Sequence, residues 1–92
     1  MEIKNEKGRL FIEINGNLDY LKVKELEKRI TEEDRHIEIR FVCSNFIDTE
    51  GIKFLYTLYR KGINITLKNP PELFFQTVKI LSLEELTDLV KE

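Results

Sequence analysis

The chain has 92 residues, 41% of them hydrophobic and 35% charged, with a formal net charge of −2. That describes one globular domain, spanning residues 1–92, with a single core, and it excludes a disordered segment and an overall basic footprint for nucleic acid. No apolar run is long enough to cross a membrane, and the lone cysteine has no disulfide partner in the chain.

Met1 is followed by Glu2, Lys4, Glu6 and Lys7 rather than by an apolar signal region, so a cytoplasmic protein is expected. Leu10, Ile12 and Ile14 alternate with Phe11 and Glu13, the period of a half-buried strand. Residues 2–6 are expected to pair with it through a hairpin turn near Lys7-Gly8. Asn15-Gly16-Asn17 breaks the strand. Asp19 is placed to cap a helix running to about Glu32, with Val23, Leu26 and Ile30 on its inner face. Glu25–Arg29 and Lys28–Glu32 are spaced for i,i+4 ion pairs on its outer face.

Ile37, Ile39, Phe41 and Cys43 share one face of the next strand, which puts Cys43 in the core, while His36, Glu38 and Arg40 share the other. A second helix is expected from about Thr49 to Arg60, with Ile52, Leu55 and Tyr59 inward. Lys61-Gly62 closes it with a cation in the last turn and a glycine beyond. Ile63, Ile65 and Leu67 alternate in a further strand, stopped by Pro70-Pro71. Pro71 suits the first turn of a third helix, with Phe74, Val78 and Leu81 inward, and Ser82 is placed to cap a last helical segment from Leu83 to about Val90. Phe74 and Phe75 are adjacent and cannot both face the core.

The predicted order is β-β-α-β-α-β-α-α. Strands that alternate, rather than running apolar throughout, imply a mixed four-stranded sheet with helices mainly on one face. Strand–helix–strand units imply right-handed crossovers and parallel pairing.

The stretch Phe46-Ile47-Asp48-Thr49-Glu50-Gly51-Ile52 carries the functional interest. Asp48 and Thr49 are both good N-cap types, and Gly51 lets another segment approach the first helical turn. A hydroxyl at a helix N-terminus also places an added phosphate where free N–H groups and the dipole favour it. Thr49 is therefore a cap or a switch, and its local chemistry alone favours the cap. Phe54 turns away from Ile52, Leu55 and Tyr59, beside Lys53, Thr57 and Arg60, and is expected to be exposed or pressed on something else, as in a partner surface. One histidine and one distant cysteine make no metal site, and the run Glu32-Glu33-Asp34 reads as a solvated face. No phosphate-binding glycine loop, Ser–His pair or carboxylate pair supports an enzyme, and no cofactor is implied.

The order of elements and three sequence marks resemble the STAS domain of bacterial anti-sigma factor antagonists. Asn15-Gly16-Asn17-Leu18-Asp19 is similar to the family's Gly-x-Leu-Asp, and Phe46 to Ile52 to its apolar-apolar-Asp-Ser-Ser-Gly-Leu. Gly62-Ile63-Asn64-Ile65-Thr66-Leu67 followed by Pro71 is similar to its glycine, short strand and proline-opened helix. The resemblance implies a protein-interaction switch in transcription regulation. In that family the hydroxyl residue directly after the Asp, a position that Thr49 matches here, is phosphorylated by an anti-sigma factor kinase, which the unphosphorylated module binds. The motif residues that the resemblance singles out, together with the outward-turned Phe54 and its neighbours, give an expected partner surface of Asp19, Asp48, Thr49, Glu50, Gly51, Lys53, Phe54 and Thr57. Glu50 stands where the family has a second Ser, adding a charge beside the site. A second branch, the small STAS subunit of bacterial phospholipid ABC transporters, often carries Asp-Thr-x-Gly and a comparably brief end. It implies instead a constitutive docking subunit on the transporter ATPase. Neither branch inserts in a membrane or binds nucleic acid, and the open sheet face allows a monomer or a weak homodimer.

Overall fold

A computed structural model describes residues 1–91. Its elements are β1 (Glu2–Glu6), β2 (Arg9–Asn15), α1 (Tyr20–Arg29), β3 (His36–Val42), α2 (Thr49–Arg60), β4 (Asn64–Lys68), α3 (Glu72–Ile80) and a 3₁₀ helix (Glu84–Leu89). The strands form one mixed sheet in the order β1-β2-β3-β4. β1 runs antiparallel to β2, and β2, β3 and β4 are mutually parallel.

The hairpin turns at Lys7 (φ 51°) and Gly8 (φ 82°), two consecutive positive φ values of the kind that suit the right-handed twist of paired strands. Along β2, β3 and β4 the core takes Leu10, Ile12, Ile14, Ile37, Ile39, Phe41, Ile65 and Leu67. Arg9, Phe11, Glu13, His36, Glu38, Arg40, Thr66 and Lys68 lie on the opposite face and are half-buried or exposed. Helix side chains Val23, Leu26, Ile52, Leu55, Phe74 and Val78 are buried in the same core, so the helices cover one face of the sheet and leave the other open.

The first helix is shorter than expected. It ends at Arg29, where Ile30 takes an extended conformation (ψ 128°). The chain then turns about Asp34, whose carboxylate accepts the Thr31 backbone N–H at 2.7 Å and the Thr31 hydroxyl at 3.3 Å. Asp34 is thereby buried, contrary to the solvated acidic face expected for residues 32–34. Glu32 lies beyond the helix, and among the described residues neither expected i,i+4 pair forms; Lys24 pairs with Glu27 at 3.4 Å instead.

Other expectations are corrected by where regular structure stops. β3 ends at Val42, and Cys43 adopts φ 53°, which breaks the alternation and turns its side chain to solvent rather than into the core. On α2, Leu58 is buried and Tyr59 is not. Leu81, just past α3, is exposed. The last segment is a 3₁₀ helix with Leu83 at its start, and Ser82, at φ 59°, provides no cap. After it, Lys91 N–H donates to Leu67 O at 3.0 Å, laying Val90 beside β4 in a single parallel bridge.

Candidate functional site

The two crossover loops leaving the C-terminal ends of β2 and β3 meet at the start of α2. Leu18 and Ile47 form an isolated parallel bridge, and Asp48 N–H donates to Leu18 O at 3.2 Å. The Asn17 side-chain oxygen accepts from the backbone N–H of both Asn45 (2.7 Å) and Phe46 (3.0 Å). Lys22 Nζ in turn donates to Asn17 O at 2.6 Å. The loop carrying Asp19 therefore lies against the loop that leads into Thr49.

Asp19 and Asp48 do matching work. Asp19 Oδ1 accepts from Lys22 N–H at 3.1 Å and Asp48 Oδ1 from Gly51 N–H at 2.8 Å, each satisfying an orphan donor in the first turn of its helix. Because Asp48 is the cap of α2, Thr49 is not: it is the first helical residue and exposed. Among the described residues nothing hydrogen-bonds its hydroxyl. Glu50 is exposed and pairs with Lys53 one turn on, at 3.8 Å. Both side chains remain about half or more exposed, so the pair adds little to stability. Gly51 is buried against Leu18 and Ile47.

Asp19, Asp48, Thr49, Glu50, Gly51 and Lys53 thus belong to one region. Phe54 does not join it as an exposed contact: only 6% of it is accessible. With Thr57, Leu58 and Lys61 it borders a hollow of ≈190 Å³ whose other wall is Glu27 of α1 and Ile30 just past its end. A lone helix on a sheet would leave Phe54 outside, but α1 lies alongside α2 and widens its buried arc. Thr57 is exposed, and its hydroxyl donates to Lys53 O at 2.8 Å.

The exposed apolar residues near the site are ones that sequence reasoning passed over. Phe46 is 41% exposed on the β3–α2 loop, and Tyr20 and Leu21 open α1 directly after Asp19 at 50% and 75%. Lys24 Nζ stands 5.2 Å from the Tyr20 ring centre. The only signal for Phe46 was its place in a non-periodic loop, and the only one for Asn17 its aptitude for loop bonding. Among the described residues no group of three or more His, Cys, Asp or Glu side chains could hold a metal ion, and no helix is long and apolar enough to cross a membrane. In comparisons with known proteins, the chain matches no family model, and no curated protein matches it.

Proposed function

We propose that the chain is a STAS-like protein-interaction switch. It binds an anti-sigma factor kinase through the surface at the start of α2 and is released when that kinase phosphorylates Thr49. The observation that carries this reading is the division of labour between neighbours: Asp48 caps the helix, which frees the Thr49 hydroxyl from structural duty and leaves it exposed. A phosphate there would gain from the helix dipole and unbonded N–H groups, and would be opposed by the adjacent Asp48 and Glu50. It would also change the charge at the start of α2, beside Glu50 and Lys53, by about −1.5 to −2, which would repel a partner that docks there through acidic groups. The protein is on this reading a regulator and not an enzyme, and it works in the cytoplasm.

A second reading is a constitutive docking subunit on a transporter ATPase, and two features favour it. Glu50 already places a carboxylate beside Thr49, and the exposed Phe46, Tyr20 and Leu21 supply apolar contact area that needs no switching. Incubation with the partner kinase and ATP, followed by mass spectrometry, tests the first reading. Phosphate on Thr49, and its loss in Thr49→Ala, is the expected result; phosphate on Ser44 or Thr57 with Thr49 unmodified overturns it. Stable co-purification with an ATP-binding transporter subunit, indifferent to Thr49→Ala, would favour the second.

A further inference from the structure

We infer that the open face of the sheet pairs with the same face of a second copy of the chain, about a two-fold axis that runs parallel to the strands between β2 and β3. The strand registers place Glu2 opposite Glu13, Glu13 opposite Arg40 and Arg40 opposite Lys68. One row across the solvent face therefore reads acid, acid, base, base. Like charges directly opposite one another destabilise a sheet, and this row contains two such pairs. Among the described residues none of the four side chains makes an ion pair.

A two-fold axis along the strands reverses the order of such a row. It sets Glu2 over Lys68 of the second copy and Glu13 over Arg40, so every like-charged neighbour acquires an opposite charge in front of it. The other rows tolerate the same rotation. Lys4, Phe11, Glu38 and Thr66 form one, and Glu6, Arg9, His36 and Asn64 the next. In these, Lys4 meets Thr66, Phe11 meets Glu38, Glu6 meets Asn64 and Arg9 meets His36, with no carboxylate over a carboxylate and no ammonium or guanidinium over another. The alternative axis, across the strands, stacks Lys4 on Lys4 and Glu38 on Glu38. Of these two arrangements, charge complementarity favours the axis along the strands.

The face is small, about 19 Å over four strands by about 16 Å over five residues. Twisted sheets also stack about 30° off alignment, so the outer rows drift. At about 300 Å² a side, about 600 Å² in all, the contact falls below standard-size interfaces, so the dimer is a weak, salt-sensitive one.

Glu2 and Lys68 provide the test, because three strand spacings, about 14 Å, separate them within one chain, beyond the screening length of about 10 Å at 0.1 M salt. Sedimentation equilibrium of the full chain up to millimolar concentration in about 0.1 M salt is expected to show a monomer–dimer equilibrium that weakens as more salt is added. Glu2→Lys and Lys68→Glu each weaken it by about tenfold or more, and the double variant Glu2→Lys/Lys68→Glu restores it to within about threefold. Amide shifts that change on dilution should fall on Phe11, Glu38 and Thr66. A chain monomeric throughout, two reversals whose effects simply add, or shifts confined to the helices would each overturn the inference.

Discussion

Gly51 rests directly on Leu18: a Cβ built at Gly51 would lie 2.9 Å from Leu18 O and 2.6 Å from Ile47 Cγ2. The first turn of α2 is therefore packed onto the bridge between the two crossover loops, and the glycine is there for closeness of approach. Replacing it with alanine gains helix propensity of about 1 kcal/mol and incurs overpacking of about 1–3 kcal/mol against atoms that include backbone. Gly51→Ala should lower stability on balance. A thermal melt falling by about 4–8 °C per kcal/mol reads the effect, and an unchanged or higher Tm would show that the loops give way freely.

Asp48 and Thr49 should separate cleanly under mutation. Asp48→Ala removes the bond to Gly51 N–H and should cost about 0.5–2 kcal/mol, while Asp48→Asn retains most of the cap. Thr49→Ala, at an exposed position whose hydroxyl has no partner among the described residues, should stay within about 0.5 kcal/mol of the parent. Urea denaturation of the three variants checks the order. A Thr49→Ala loss as large as that of Asp48→Ala would return Thr49 to a structural role.

The two phenylalanines flanking this motif should behave as opposites. Phe54→Ala opens a cavity between α1 and α2 and should cost about 3–5 kcal/mol. Phe46→Ala should leave stability nearly unchanged and weaken partner binding instead, which a melt and a binding titration on the same preparations will distinguish.

Asp34 is the buried carboxylate whose two bonds to Thr31 close the turn after α1. Asp34→Ala leaves the Thr31 N–H without its acceptor and should cost about 1–3 kcal/mol. Chemical denaturation would measure it; a neutral result would mean water replaces the carboxylate readily.

Much of the architecture was legible because the strands alternate so regularly. Leu10 to Ile14, Ile37 to Phe41 and Ile63 to Leu67 announce both the strands and the face they bury, and Asp19 and Asp48 mark the helix starts they cap. What was not legible depended on neighbours in space. Helical periodicity places Phe54 outside, and only α1 lying beside α2 brings it in. Cys43 follows the strand alternation until a single positive φ ends it. Asp34 belongs to an acidic run, and nothing in that run says that one of its members folds back on Thr31. At the site, the spacing of Asp48, Thr49 and Gly51 carried the proposal, whereas the exposed Phe46, Tyr20 and Leu21 carry no periodic signal in a loop or at a helix end.

The Asn17 side chain has a kinetic consequence. One oxygen atom holds two consecutive amides, Asn45 and Phe46, of a loop that is distant in sequence. Those amides cannot be released singly through that atom, since any rotation of the side chain frees both. Hydrogen exchange should find them opening together, with matching protection factors that fall in parallel in Asn17→Ala. A docking protein would then meet the start of α2 as one latched body.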